Sequence, residues 1–150
     1  MAKRKLISEP TFFPDLTIIG INCQLKDYRL AFFLNRDIHL TLVKIKDLPV
    51  FFEKEEVLIE FPLYSCYDAE RRINYYLTGN NNAGNKMVTA YKQADFLLMS
   101  KGPIDKERSM SVISGIRKIN GVQMVFLLEN EKIKNLDGIM SDLELHMVNK

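Results

Sequence analysis

The chain lacks the residues and motifs on which most enzyme chemistry depends. Its 150 residues include only two histidines, His39 and His146, and neither lies in HExxH or another metal-binding spacing. A GxSxG nucleophile elbow, a GxxxxGK[ST] phosphate loop and a GxGxxG dinucleotide fingerprint are all absent. We therefore expect no enzymatic activity, no cofactor and no metal, with surface or packing roles for both histidines. An enzyme remains an alternative only if residues from separated segments come together.

Cysteine and long hydrophobic runs are also scarce. Cys23 lies in an apolar strand-like pattern and Cys66 among tyrosines, without CxxC spacing. Both are predicted to be free thiols that behave as small hydrophobic residues. The longest uncharged stretch, around Leu16 to Leu25, is too short to span a bilayer, and the first residues lack the apolar region and cleavage site of a signal peptide. The sequence thus predicts a cytoplasmic protein with no membrane partner.

Strong charge of one sign is missing as well. The 21 basic and 19 acidic side chains give a net charge of +2, which supplies little field for nonspecific binding to nucleic acid or anionic membrane. The basic cluster Lys3, Arg4 and Lys5 is confined to residues 1–14, which we predict to be a mobile tail. A solvated tail is favoured over a nucleic-acid contact for such a cluster.

The first half of the chain predicts a β-α-β unit within a single domain of residues 1–150. Leu16 to Cys23 is a β-branched run typical of a strand. Over His39 to Ile45 the apolar residues repeat about every two positions, which predicts a second strand. Asp47-Leu48-Pro49 is predicted to end this strand. Between them, Leu25 to Ile38 has helical spacing, with an expected buried face of Leu25, Tyr28, Phe32, Leu30, Phe33, Leu34 and Ile38.

A second β-α-β unit is predicted near the other end. Asp95 to Met99 is a strand, Asp105 is an expected N-cap, and a helix follows over Lys106 to Asn120. Gly115 within this helix suggests close backbone approach to the sheet. Val122 to Leu128 is almost wholly apolar, which favours a strand covered on both faces. The apolar stripe of the helix consists of Val112, Ile113, Ile116 and Ile119.

Hairpin-like sequence lies between the two units. Val57 to Tyr64 and Ile73 to Thr78 each alternate between an apolar face and a mixed face. Gly79 to Asn85 is a polar loop whose residues tolerate positive φ. Pro62 indicates an edge strand or a bulge, because proline cannot donate to a strand ladder.

These elements predict an α+β fold of the ferredoxin-like type with extra strands. We expect a mixed sheet with both helices on one face and the other face open. The strands on either side of the second helix are apolar on both faces, so something must cover the open face. The C-terminal segment, residues 129–150, or a homodimer satisfies this need. The helix-like stripe of that segment is Ile133, Leu136, Met140, Leu143 and Met147.

The segment from Val88 to Phe96 resembles the motif of the bacterial IPExxxVDY family, which has no assigned activity. Thr89 and Ala90 stand at the proline and glutamate of that motif, and Asp95 at its aspartate. Three further segments occur in the order and spacing that the family has. They are GINCQLKDYRLAFFLN, FPLYSCYD and FLLMSKGPID. The resemblance implies no known chemistry. An acid or base role of the motif glutamate would be lost here, because alanine replaces it.

Candidate binding residues come from a predicted strand face and from the first helix. Tyrosines beside arginine on an open sheet suit either stacking of unpaired bases or a protein interface. In the first helix, Asp27 suits the helix N-terminus without further function, whereas Arg29 has no packing reason at its position. Asp95 is predicted to accept hydrogen bonds at a strand entrance. The candidate sheet face consists of Tyr64, Arg72, Asn74 and Tyr76.

Two functions of different class remain after these exclusions. The first is a non-enzymatic cytoplasmic protein-binding or adaptor domain that docks onto another protein or forms a homodimer. The alternative is a weak single-stranded RNA-binding module that uses the open sheet face. We expect the protein interface, because the net charge is low and no GFGFVxF-like string is present.

Overall fold

A computed structural model of the chain describes residues 15–82 and 84–149. Among these residues, three α-helices accompany one six-stranded sheet and one two-stranded sheet. In chain order the elements are β1 (Leu16–Cys23), α1 (Asp27–Ile38), β2 (Val43–Phe52), β3 (Val57–Asp68), β4 (Ile73–Gly79), β5 (Asn81–Asn82), β6 (Asn85–Lys86), β7 (Phe96–Lys101), α2 (Lys106–Arg117), β8 (Val122–Leu127) and α3 (Leu136–Asn149). Single 3₁₀ turns lie at Thr89–Tyr91 and Asn130–Lys132.

The large sheet has the strand order β2-β3-β4-β7-β1-β8, and every pairing in it is antiparallel. The predicted α+β class is confirmed, but the sheet is not mixed. In each β-α-β unit the two parallel strands are separated by others, since β1 lies between β7 and β8. Strands β8, β1, β7 and β4 have the order of a ferredoxin-like sheet, and β2 and β3 extend it on one side.

Helices α1 and α2 lie on the same face of the sheet and share one hydrophobic core with it. The predicted stripe of α2 is buried, and Asp105 caps the helix by accepting a hydrogen bond from the Arg108 backbone N–H at 2.7 Å. A Cβ atom on Gly115 would lie 3.4 Å from Ile38. Gly115 therefore allows close approach to α1 rather than to the sheet, which corrects the expectation. The core residues from the two helices are Leu30, Ala31, Leu34, Ile38, Val112, Ile113 and Ile116.

The prediction that Tyr28 and Phe32 lie on the buried face of α1 is wrong. The buried face follows Leu30, Leu34 and Ile38, which recur every four residues. Tyr28 and Phe32 are each two residues from Leu30, which rotates them by about 200° around the helix axis. Both aromatic side chains consequently point away from the sheet and are exposed.

Helix α3 covers the opposite face of the sheet. Its inward side chains pack in a second hydrophobic cluster against alternate residues of β1, β3 and β7, such as Ile18, Leu63 and Leu97. Lys101 at the end of β7 also forms an ion pair with Glu144, with 2.6 Å between Nζ and Oε2. The sheet face expected to be open is thus covered by the chain itself. The covering residues are Ile133, Leu136, Ile139, Met140 and Leu143, with Met147 half-buried beside them.

Strand β2 continues through the residues expected to end it. The pairing of β2 with β3 shifts between Ile45 and Leu48, where a β-bulge takes up the extra residues, and the strand then continues to Phe52. Pro62 of β3 lies opposite this bulge, where the ladder is already interrupted. The bulge is therefore the correct one of the two interpretations offered for Pro62. The predicted strand start at His39 is wrong, because His39 ends α1 in the left-handed conformation (φ 63°).

Strand β8 is an edge strand rather than a strand covered on both faces. It pairs only with β1 among the described strands, and its side chains Met124 and Leu127 are 48% and 51% exposed. Only Val125 in its middle is fully buried. The apolar composition of β8 is therefore not explained by burial within one copy of the chain.

The buried side chain of Asn80 holds the irregular segment that leads into β7. Its Nδ2 donates to the carbonyl oxygens of Val88, Tyr91 and Ala94 at 3.4, 3.3 and 2.9 Å. Its Oδ1 accepts from the Val88 backbone N–H at 2.7 Å. One amide thereby forms hydrogen bonds with four backbone groups of this segment. The sequence had suggested only a polar loop here.

Replacement of Leu143 by alanine tests the cover provided by α3. Leu143 is 1% exposed, so Leu143→Ala is expected to lower the free energy of unfolding by about 2 to 5 kcal/mol through lost burial and cavity formation. Leu145→Ala is the matched control, because Leu145 on the same helix is 63% exposed and the loss should stay within about 0.5 kcal/mol. Urea unfolding at equilibrium measures both. Equal effects would contradict the packing of α3 on the sheet.

Replacement of Asn80 by aspartate tests the buried amide. The carboxylate of Asn80→Asp has no N–H to give to the three carbonyl oxygens, so we expect a loss of about 3 kcal/mol at pH 7. Burial raises the folded-state pKa of the new carboxyl group, so its protonated form restores a donor as the pH falls. The deficit relative to the wild type should therefore shrink between pH 7 and pH 4.

Asn81→Asp is the control for this substitution, because Asn81 is exposed and adjacent in sequence. Its free energy of unfolding should follow the wild type over the same pH range. A deficit in Asn80→Asp that is constant with pH would contradict the assignment of Asn80 as a donor to the segment.

Candidate functional site

The predicted aromatic face of the sheet does not exist as one surface. Tyr64 of β3 pairs with Leu77 of β4, so Tyr64 and Tyr76 alternate onto opposite faces. Tyr64 is 6% exposed on the side of α1, and Tyr76 is 9% exposed on the side of α3. Asn74 is half-buried, and Arg72 is exposed in the β3–β4 turn with φ 58°. Only Arg72 of the four remains freely accessible.

Tyr64 and Asp27 instead form a structural contact between sheet and helix. The Tyr64 hydroxyl donates to Oδ2 of Asp27 at 2.7 Å, which attaches the first turn of α1 to β3. Lys44 lies over the tyrosine ring, with Nζ 5.8 Å from its centroid, and pairs with Asp47 at 2.7 Å. Burial, followed by the hydrogen bond to Asp27, raises the pKa of Tyr64 well above its usual value.

Asp95 has the structural role predicted for it. Its Oδ2 accepts a hydrogen bond from the Cys23 backbone N–H at 3.0 Å. Its own backbone N–H donates to Ile21 at 2.8 Å, and its carbonyl accepts from Asn80 at 2.9 Å. Asp95 thus joins β1 to the entrance of β7. Cys23 and Cys66 are both free thiols, as expected.

The exposed side of α1 carries the densest group of unburied aromatic side chains. Tyr28 and Phe32 are 62% and 59% exposed, although both belong to a well-formed helix. Phe33 meets Phe32 edge to face, with 5.5 Å between ring centroids. We call Tyr28, Arg29, Phe32, Phe33 and Arg36 the α1 surface. Its aromatic groups are in position to contact another molecule without any rearrangement of the helix.

The two arginines of the α1 surface stack on its rings. The Arg29 guanidinium lies 5.6 Å from the centroid of Phe33, and that of Arg36 lies 4.7 Å from the same ring. Arg36 also pairs with Asp37 at 2.8 Å, and this hydrogen bond lowers the pKa of the Asp37 carboxyl group. Arg29 has no carboxylate within ion-pair distance among the described residues. The surface is therefore aromatic with a net positive charge.

A separate open cleft of about 590 Å³ lies beside the end of β2. Its walls come from the β2–β3 turn, the segment after β5 and the residues before α3, with Val50, Phe52 and Met87 as apolar lining. Glu53 and Glu55 stand among the lysines of its rim, so its charge is mixed. The rim lysines are Lys54, Lys86, Lys92 and Lys134. Neither histidine nor cysteine is among the described residues that line this cleft.

Comparison of the chain with models of known protein families, with curated proteins and with solved structures gives no match. The resemblance of Val88 to Phe96 to the IPExxxVDY motif therefore stays a prediction. In this segment Val88 and Ala94 are buried, whereas Thr89 and Ala90 are exposed. No helix in the described part of the chain is long and apolar enough to cross a membrane.

Sequence reasoning identified Arg29 but missed the aromatic residues around it. Arg29 was singled out because no packing contact was expected for it, and it is exposed. Tyr28 and Phe32 were assigned to the buried face because they share helical spacing with Leu25. Their position around the helix axis, on the side away from Leu30, Leu34 and Ile38, was the signal in the sequence that could have shown their exposure.

Tyr64→Phe tests the contact between α1 and β3. Loss of the hydroxyl donor to Asp27 should lower the free energy of unfolding by about 1 kcal/mol at pH 7. Above the unfolded tyrosine pKa of about 10, the unfolded wild type releases a proton that folded Tyr64 retains, so the wild type loses stability with rising pH. The difference between wild type and variant should therefore shrink above pH 10.

Tyr67→Phe is the matched control, because Tyr67 is an exposed tyrosine on the same strand. Its stability should follow the wild type at every pH in the series. A Tyr64→Phe variant as stable as the wild type at pH 7 would show that the hydrogen bond to Asp27 contributes nothing to folding.

Proposed function

We propose that the protein is a non-enzymatic, cytoplasmic protein-binding or adaptor domain and that its partner docks on the α1 surface. The observation that carries this proposal is the exposure of Tyr28 and Phe32 beside Arg29 on an ordered helix. Apolar area on this scale stabilises a complex when a partner removes it from water. The same exposed area contributes little to the folding stability of a single copy of the chain.

The composition of the α1 surface supports a protein partner. Tyrosine and arginine are enriched among the residues that contribute most to binding energy at protein interfaces. The stacking of Arg29 and Arg36 on Phe33 restricts these side chains before binding, which reduces the conformational entropy lost when a complex forms. The positive charge favours a partner surface that combines apolar groups with carboxylates.

The RNA-binding alternative has less support than the protein interface. It relied on an open sheet face, whereas α1 and α2 pack on one face and α3 on the other. The basic cluster Lys3, Arg4 and Lys5 lies outside the described residues. The described residues carry 17 basic and 18 acidic side chains, so their net charge does not favour a polyanion.

The test is capture of partners from a lysate of the native cell, with the wild type compared with Tyr28→Ala/Phe32→Ala and with Arg29→Ala. We expect the double variant to bind a captured partner at least 30-fold more weakly, which corresponds to about 2 kcal/mol. All changed side chains are exposed, so the free energy of unfolding should stay within about 0.5 kcal/mol. Titration calorimetry with the purified partner gives the ratio of the dissociation constants of the variant and the wild type.

Met110→Ala is the control, because Met110 is an exposed apolar residue on α2, outside the α1 surface. It should bind as the wild type does. Equal binding by the wild type and the double variant would contradict the proposal. Loss of every wild-type partner after nuclease treatment would favour RNA instead, and the affinity should then fall steeply with salt.

A further inference from the structure

The two edges of the large sheet are protected very differently. Edge strand β2 contains Lys44, Lys46, Asp47 and Pro49 together with a β-bulge. Helix α3 also contacts this edge, where His146 Nε2 lies 3.0 Å from the Lys46 carbonyl oxygen. Charges, proline, a bulge and a covering helix are the features that prevent an edge strand from pairing with another chain.

The other edge, β8, lacks the charges and the proline, although it also has a bulge and contacts α2. Its six residues are Val-Gln-Met-Val-Phe-Leu, with no charge, no proline and no glycine. Met124 and Leu127 are half exposed, and the ladder is regular from Met124 to Leu127, with a one-residue bulge at Gln123. An uncharged apolar edge strand of this kind is prone to pair with another strand.

The outer backbone groups of β8 can be identified from the ladder. The Leu128 N–H donates to the Ile18 carbonyl at 2.9 Å, so this residue points toward β1. Antiparallel ladders alternate, and the pairing of Ile19 with Leu127 to Asn22 with Met124 is regular, which turns the N–H and C=O groups of Val125 and Leu127 outward. No strand among the described residues pairs with that side.

Among the described residues, one side chain forms a hydrogen bond with this free edge. Arg117, in the last turn of α2, donates from Nη2 to the Val125 carbonyl at 3.4 Å. The geometry is long for a hydrogen bond, and the arginine is exposed. It is a flexible cover that a pairing strand can displace.

We propose that β8 pairs antiparallel with β8 of a second copy of this chain and joins the two sheets into one of twelve strands. A second copy brings the same free strand, so the pairing satisfies both edges under a twofold axis. The uncharged sequence places no like charges opposite each other in any antiparallel register. This self-pairing does not depend on the α1 surface.

Sedimentation equilibrium over a series of micromolar concentrations measures the association. We expect a reversible monomer–dimer equilibrium, because one pair of short strands buries less surface than stable interfaces of about 1,600 Å². Leu127→Lys puts a charge on the exposed apolar edge of each copy and should weaken the dimer at least tenfold. Val43→Lys makes the same kind of change at an exposed apolar position of β2 and should leave the dimer unchanged.

Leu127→Pro is a second variant, which removes an outward N–H from an exposed position on the edge strand and should also weaken the dimer. Circular dichroism during heating shows whether each variant remains folded. Tyr28→Ala/Phe32→Ala should dimerise as the wild type does, which separates this proposal from a partner on the α1 surface. A wild type that is monomeric throughout the series would overturn the proposal.

Amide hydrogen exchange independently measures whether the backbone amides of β8 become protected in the dimer. As the wild-type concentration rises, the amides of Val125 and Leu127 should become protected. Those of Met124 and Phe126 already face β1 and should not change. A dimer in which all four amides exchange as in the monomer would place the interface elsewhere and overturn the proposal.

Discussion

The fold depends on the need to cover both faces of its central strands. Alternate residues of β1 bury Ile19 and Ile21 on one side and Leu16 and Ile18 on the other, and β7 continues the same pattern. Neither face can be left to water, since each row of apolar side chains would lose its burial. Helices α1 and α2 cover one face, and α3 covers the other. The sheet is thereby the middle layer of the structure, and its central strands are covered on both faces.

Two polar side chains organise the backbone where regular structure stops. Asn80 satisfies four backbone groups of the segment before β7, and Asp95 fixes the end of that segment to β1. Buried backbone groups need partners, and a single amide supplies both donors and an acceptor. The part of the chain that resembles a family motif is therefore held mainly by structural hydrogen bonds. Its conspicuous acid, Asp95, acts as an acceptor for a backbone N–H.

The two proposed interactions involve apolar side chains that are exposed to water. The α1 surface places aromatic rings in water on a helix that has another face for the core, and β8 places an uncharged apolar strand at an unprotected edge. Both features leave apolar groups exposed in a single copy of the chain. If β8 pairs two copies and each copy has its own α1 surface, the result would be a dimeric adaptor with two equivalent docking surfaces.

The sequence by itself determined features that depend on short-range periodicity. The bounds of β1, the buried stripe of α2, the Asp105 cap and the covering stripe of α3 follow from spacing along the chain. The tertiary structure alone decided that Tyr64 and Tyr76 lie under different helices, that β8 is an edge and that Asn80 is buried. Strand order and the choice of face at each contact depend on residues far apart in the chain, and local spacing carries no information about which strands become neighbours.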